Sequence, residues 1–322
     1  MRTALEAVLA ATCLALAPLS PSAAQSYPAR PVHIIVAFAP GGPVDVVARV
    51  VAEKLPEILG RSVIVENRPS STGNLGAQVV ARTPADGYTI LATSSAFAVN
   101  VSLSPNAGYD PDRDFAPIIQ AATQPNVIVV NSGFAAKTLA ELLEMAKTTK
   151  LAYASPGTGT TPHLTGEHLF KAIAKVDVVH VPYQGAGPAT IAVVSGEPPI
   201  GSLAVTAPLP FIRSGQLRAL AISSATRHRL LPDVPTFSEL GYPEIEDYTW
   251  VGFFAPAGTP PEIVQKLNDA INHVLQLGDV RERLESLTFE PIGGSPQQFA
   301  GYVRSEVAKW AIVVKQTGAK VE

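Results

Sequence analysis

The chain has 322 residues, 47% of them hydrophobic and only 16% charged, so it can bury a large core and its composition argues against disorder. A net charge of -3, from 24 Lys and Arg against 27 Asp and Glu, leaves no basic footprint for nucleic acid. The single cysteine, Cys13, lies in the first few residues, which excludes a disulfide framework, thiolate chemistry and a cysteine zinc cluster from everything that follows it.

The first segment reads as an export signal. Arg2 precedes a mostly apolar run from Ala7 to Pro18, and Ser22-Ala23-Ala24 offers the small residues of a cleavage site. Residues 1–24 are therefore expected to be removed and the mature chain to begin near Gln25, in the periplasm. The run is too short to span a bilayer, which takes about 20 apolar residues. Beyond it no long uninterrupted apolar segment follows, so no membrane span is expected.

Strands and helices alternate from there on, which predicts an α/β fold with a largely parallel sheet. Strands are expected over His33 to Phe38, Val63 to Glu66, Thr89 to Thr93, Val127 to Val130, Leu151 to Ser155, Val176 to Val181 and Leu217 to Ile222. Thr138 with Glu141 makes a capping box ahead of Leu139, Leu142, Leu143 and Ala146. Thr259 and two prolines open a helix with Ile263, Leu267 and Ile271 on one face. Ser295, Pro296 and Gln298 open the last helix, whose stripe is Phe299, Val303, Val307, Trp310 and Val314. These stripes are core-facing patterns and carry no functional signal.

Two apolar segments, Phe115 to Val130 and Trp250 to Pro256, read as crossings between lobes. The expected division is residues 25–124 plus 249–322 for one lobe and residues 125–248 for the other.

Three strand-to-helix junctions are rich in glycine. The first is Phe38-Ala39-Pro40-Gly41-Gly42, with Asp45 in the first turn of the helix that follows. The second runs from Ser155 through Gly157, Thr158, Gly159 and Thr160 to His163, and the third is His180-Val181-Pro182-Tyr183-Gln184-Gly185-Ala186-Gly187. Backbone N–H groups at a helix start are unpaired and aimed at one point, which favours an anion. Loops of this kind on two facing lobes can clamp a small acid between them. Ser94 and Ser95 end a strand expected to point at the same cleft.

Several of these residues have two readings. Asp45 either reaches the ligand or only complements the helix dipole. His163 either donates to the ligand or satisfies a structural need, and Tyr183 either stacks on an aromatic ligand or packs. Arg30 and Arg68 are read as holding loops at the rim.

Catalytic alternatives lack their parts. The sequence has no Gly-x-Ser-x-Gly elbow and no His-Glu-x-x-His, and Gly185-Ala186-Gly187 lacks the third glycine of a dinucleotide loop. No enzyme activity, cofactor or metal is expected.

At this level of detail the chain resembles the solute-binding proteins of tripartite tricarboxylate transporters, the Bug family. The resemblance is carried by Tyr27-Pro28-x-Arg30-Pro31, Phe38-x-Pro40-Gly41-Gly42-x-x-Asp45, Val65-Glu66-Asn67-Arg68-Pro69 and Pro84-x-Asp86-Gly87-Tyr88-Thr89. It continues through Tyr109-Asp110-Pro111-x-x-Asp114-Phe115, the loop Ser155 to His163, His180-Val181-Pro182-Tyr183-x-Gly185 and Leu217-Arg218-Ala219-Leu220-Ala221. It ends with Leu231-Pro232-Asp233-Val234-Pro235-Thr236 and Phe254-Ala255-Pro256-Ala257-Gly258-Thr259-Pro260, so it covers nearly the whole mature chain.

The resemblance implies a type II periplasmic-binding-protein fold, two α/β lobes closing on a ligand without chemistry. It implies a small carboxylate ligand, di- or tricarboxylate or aromatic, and membrane permease subunits as partners of a monomer. Service to a sensory receptor is the alternative destination for the closed protein. By the same resemblance the carboxylate is held by the loop Phe38 to Gly42, with Pro40 and Gly41, and by Ser155, Gly157, Thr158, Gly159 and Thr160. The reading of the residues themselves adds Asp45, Ser94, Ser95, His163 and Tyr183 to the expected ligand-binding set. A bulky residue at Gly41 or Gly159 is expected to abolish binding.

Two departures from the family pattern stand out. Gln184 replaces a usual Lys. Pro198-Pro199 falls where a strand is usual, which predicts an edge or reshaped strand and, with Leu203 and Ala204, a more apolar pocket wall.

Overall fold

The computed structural model describes residues 27–319 apart from Ser71 and Pro105. The expected leader, residues 1–24, lies outside the described residues.

The first βαβ unit forms as its sequence dictates. β1 (Val32–Val36) is almost wholly buried and pairs in parallel with β2 (Val63–Asn67) on one side and β3 (Thr89–Ser94) on the other. Between β1 and β2 runs α1 (Pro43–Leu59), with Gly42 at its N-cap, Pro43 in the first turn and the left-handed Gly60 closing its end. α2 (Asn74–Ala81) and α3 (Ala96–Leu103) flank β3 in sequence.

β4 (Phe115–Asn131) is a single strand of 17 residues. Its first part pairs antiparallel with β9 (Tyr248–Pro256), which in turn pairs with β3. From Asn126 onward the partners change: β7 (Ile200–Ala204) lies on one side and β8 (Leu217–Ile222) on the other. β5 (Leu151–Ser155) and β6 (Val178–Pro182) extend the sheet beyond β7 as parallel neighbours. The order is β2-β1-β3-β9-β4-β7-β5-β6, with a short β10 (Glu290–Pro291) also on β4. The Pro125 interruption seen in the sequence therefore does not end the strand. It falls opposite Tyr248, where the β9 ladder stops and the β7 and β8 ladders begin.

Apolar burial follows the same division. One core gathers Ile34, Val47, Leu55, Phe253 and Phe254, with Phe97 stacked on Tyr109 at 4.9 Å. A second gathers Leu142, Tyr153, Phe170 and Phe237 on one face of the β4–β8 region, and a third gathers Val127, Val193 and Leu203 on the other. The helices over these cores are α4 (Leu139–Ala146), α5 (Thr161–Glu167), α6 (Ala186–Ser195) and the short α7 (Leu209–Arg213). α4 starts as its capping signal predicts, the Thr138 hydroxyl accepting from Glu141 N–H at 3.2 Å.

After β9 the chain returns to the first core with α8 (Pro261–Gln276) and α9 (Gly278–Ser286), then closes with α10 (Pro296–Thr317). A complete capping box of Ser295 and Gln298 starts α10. Its Trp310 and Val314 pack with Val99 and Leu103 of α3 and with Leu164 of α5, so this helix touches elements from both sheet regions. The Trp310 and Trp250 indoles both donate to one Glu306 carboxylate oxygen, at 2.9 and 3.0 Å.

Pro198 and Pro199 correct the sequence expectation. β7 is neither an edge nor an interrupted strand but sits between β4 and β5, buried at every residue. The prolines stop just before it, and the Pro199 carbonyl still accepts from Asn131 N–H at 2.8 Å. A proline costs a ladder only where its missing N–H is needed.

Candidate functional site

The carboxyl ends of β1, β3 and β5 and the starts of β9 and α6 converge on one narrow, partly open cavity. From the β1–β3–β9 side it is lined by Phe38, Gly42, Pro43, Val44, Ser94, Ser95 and Thr249. From the β5–β7 side come Pro156, Thr160, Thr161, Pro162, Ala186 and Ala204. A crevice at the carboxyl ends of sheet strands is where α/β folds hold small ligands.

The two sides touch around it. Ala39 N–H donates to the Gln184 carbonyl at 3.0 Å, and the Ser95 and Thr161 hydroxyls lie 3.1 Å apart. Gly185 and Gly187 let the third junction approach closely. A Cβ on Gly187 would stand 2.9 Å from the Pro40 carbonyl, and one on Gly185 3.3 Å from Ala39 N.

None of the lining residues is charged. Val44 and Ala186 stand in the first turns of α1 and α6, where N–H groups have no intrahelical acceptor and the dipole favours negative charge. Neutral donors of this kind hold an anion without burying a fixed cation.

The residues singled out from the sequence fall into three places. Phe38, Gly42, Ser94, Ser95 and Thr160 line the cavity. Pro40, Gly41 and Tyr183 line a shallow apolar groove outside it, with Ile191 and Phe211. Thr158 is half-exposed and lines neither, and Asp45, Ser155, Gly157, Gly159 and His163 are behind the lining.

The groups behind the lining are occupied with one another. Asp45 accepts from Gly41 N–H (3.1 Å), Arg49 Nε (3.0 Å) and Asn67 Nδ2 (2.9 Å), so it braces the first loop. Although burial opposes its ionisation, the Arg49 and Asn67 bonds hold its carboxyl below the usual range. In the second loop Gly157 N–H donates to Ser155 Oγ at 3.1 Å, Thr160 Oγ1 to the Gly157 carbonyl at 2.8 Å, and Gly159 N–H to His163 Nδ1 at 3.1 Å.

His163 stacks on His180 at 4.0 Å, and His180 Nε2 lies 2.6 Å from Ser155 Oγ. Burial pushes both imidazoles towards the neutral form, His180 down to about 4 and His163 well below its usual value. The Ser155–His180 pair has the elements of a nucleophile and base, yet Ser155 is fully buried and does not line the cavity. Ser155 and His180 brace the loop.

Gln184 is exposed and meets the first loop through its main chain, so the lost positive charge lies outside the cavity. Of the two residues expected to make the wall apolar, Ala204 lines it and Leu203 turns into the core. Arg30 and Arg68 are exposed and pair with Asp86 and Glu66.

Thr249 lines the cavity without belonging to any sequence motif. Its hydroxyl donates to Asn126 Oδ1 at 2.7 Å and meets Thr161 Oγ1 at 2.7 Å. Its one signal is position: it immediately precedes the expected second crossing segment, Trp250 to Pro256.

Comparison with known proteins gives a consistent result. The model of the family described as "Tripartite tricarboxylate transporter family receptor" matches residues 47–319. The protein BugT of Bordetella pertussis is 39% identical over 307 residues, 94% of each chain. A solved R. palustris protein with adipate is 34% identical, with a TM-score of 0.87 over 92% of this chain and all of that one. MatC from Rhodopseudomonas palustris with bound malate is 34% identical, with a TM-score of 0.86 over 89% of this chain and all of that one. The architecture is that of the periplasmic binding proteins.

Proposed function

Because the chain belongs to the tripartite tricarboxylate transporter receptor family, we propose that it captures a small organic carboxylate in this cavity and releases it unchanged to the permease subunits of such a transporter. The observation that carries the proposal is the cavity itself: set between the two sides, free of charged side chains, and bordered by the first turns of α1 and α6. The adipate and malate held by structural neighbours are small carboxylates, which supports the reading.

The proposed working cycle is one of opening and closing. On this reading residues 25–124 plus 249–322 are one lobe and residues 125–248 the other, a division supported by the β4–β9 pairing that ends at Pro125 and Tyr248. The lobes open by bending there, admit the ligand, and close to the arrangement in which Ala39 bonds Gln184 and Ser95 meets Thr161. Removal of residues 1–24 on export delivers the chain to the periplasm as a monomer.

The test is a thermal-shift screen, followed by calorimetry, on protein unfolded and refolded to strip carried ligand. A carboxylate at a hundredfold excess over its dissociation constant stabilises the fold by about 2.7 kcal/mol. Saturable stabilisation by an aliphatic or aromatic acid that is recovered unchanged is expected. Silence across all such acids would overturn the proposal. A deletion strain then tests the destination: loss of uptake of that acid supports the transporter role.

A further inference from the structure

Resting on the reading of two lobes that close on a carboxylate, we infer that a groove behind the hinge sets how tightly the ligand is held. The groove must narrow for the lobes to part, so its side chains govern affinity without touching the ligand.

The groove lies across β4 from the cavity in both lobes. A strand has two edges, and Thr123 of β4 pairs with Trp250 of β9 on one and with Glu290 of β10 on the other. In the first lobe the strands that reach the cavity, β9, β3 and β1, are therefore on one side of β4 and β10 is on the other. In the second lobe β7, β5 and β6 are on one side and β8 is on the other. The groove is built from the two far sides. One wall is Arg281 and Glu285 of α9 with Thr288 to Pro291, and the opposite wall is Ser224 and Thr226 to Arg229, which follow β8. Its floor is the crossing itself, Thr123 to Pro125 and Tyr248.

At the inner end of the groove the lobes already rest on each other. Thr206 N–H donates to Gln124 Oε1 at 2.8 Å, and the Thr206 hydroxyl lies 2.8 Å from the Leu287 carbonyl. Farther out, one ion pair among the described residues bridges the walls, Arg229 to Glu285 at 3.5 Å. That is longer than the about 2.7–2.9 Å of a direct charged hydrogen bond. Two bodies joined beside such a fulcrum move oppositely on its two sides. Parting Ala39 from Gln184 at the cavity brings α9 towards the 224–229 segment. A solidly packed interface here would forbid that movement, whereas a groove permits it.

Space behind the hinge is therefore part of the binding equilibrium. Bulk placed in it destabilises the open form alone, and apparent affinity rises as the closed form gains population. The groove does not compete for the acid. Arg227 is held by Glu239, Arg229 and Arg281 both face Glu285, and Glu290 adds a further negative charge.

The one cysteine of the chain is in the expected leader, so a thiol introduced into the mature protein is unique. Thr226→Cys and, on the opposite wall, Glu290→Cys are modified in turn with methyl, propyl and benzyl methanethiosulfonate, each unmodified variant serving as its baseline. Calorimetry with adipate and with malate on refolded protein is expected to show binding about threefold or more tighter for the benzyl than for the methyl adduct. Without ligand, exchange of the Ala39 amide, bonded across the cleft to Gln184, is expected to slow over the same series. The same adducts at Lys150→Cys, exposed and ahead of β5, should change neither. Affinity and Ala39 protection that ignore adduct size at both groove positions, or fall with it, would overturn the inference and leave the carboxylate reading standing. If neither acid binds the unmodified protein, that silence counts against the carboxylate reading, and Ala39 exchange alone decides this one. An adduct that unfolds the chain shows as protection lost throughout, and the smaller adducts or the other wall then decide.

Discussion

The loops at Phe38–Asp45 and Ser155–His163 look alike in composition, and both follow a strand and open a helix, yet they do different work. The first turns its helix start to the cavity and takes its internal support from one carboxylate, Asp45. The second also brings its helix start to the cavity, through Thr160, Thr161 and Pro162 beside Pro156, but it satisfies its polar atoms within itself, through Ser155, Gly157, Thr160 and the His163–His180 stack. The third junction, at Gly185–Gly187, takes the place opposite the first loop. Glycine, serine and threonine at a helix start announce polar groups that need partners. Whether the partner is a ligand or the loop itself depends on what faces it.

The largest test of this contrast is at Gly159. Its φ is +82°, and a Cβ there would collide with the Asn100 side chain and stand 2.9 Å from Leu103. Gly159→Ala combines left-handed strain with overpacking, each costing roughly 1–3 kcal/mol. A lowered melting temperature and at least a hundredfold weaker ligand binding are expected, read by calorimetry.

Acid provides the next test. The two imidazoles are held neutral in the folded chain, with pKa values below the unfolded value near 6.5. Folding therefore takes up fewer protons than the unfolded chain as pH falls from about 6.5 towards 4, and the stability present above that window is lost within it. After correction for the slower intrinsic exchange at low pH, protection at residues 155–160 is expected to fall as the pH drops from 7.5 to 5, while residues 38–45 stay protected. Equal loosening of both loops would contradict the division of labour.

Gly41 sharpens the contrast from the other side. Its φ is also +82°, but a Cβ there meets nothing within 4 Å. Gly41→Ala should cost only about 1 kcal/mol of backbone strain, with affinity falling by less than about tenfold. The sequence alone treats Gly41 and Gly159 as equivalent, and their surroundings separate them. The smallest effect is expected for Gln184→Lys, whose side chain is exposed and whose contact is a carbonyl. Ligand affinity at 0.15 M salt should change by less than twofold, since an exposed charge there is screened.

Much of the architecture was legible because local signals and packing agree. The apolar run at Val32–Val36, the Thr138 cap and the Ser295 capping box each produced the element they announce. Pro198-Pro199 misled because the strand starts one residue after them, and the sequence does not reveal which N–H groups a ladder requires. The site was legible as loops and not as atoms. Phe38, Gly42, Ser94, Ser95 and Thr160 reach the cavity, whereas Asp45 and His163 turned inward because nearby N–H groups demanded acceptors. Thr249 had no motif to mark it. Its role comes from Asn126, 123 residues away in sequence, and such pairing is visible only after folding.

The most direct test of the account is residue-resolved amide exchange with and without a saturating carboxylate. The first-loop and third-junction amides of Gly42, Val44 and Ala186 are predicted to slow on binding, while Gly41 and Gly157, already bonded to Asp45 and Ser155, change little. Protection concentrated at residues 155–160, with Gly42, Val44 and Ala186 unaffected, would contradict it.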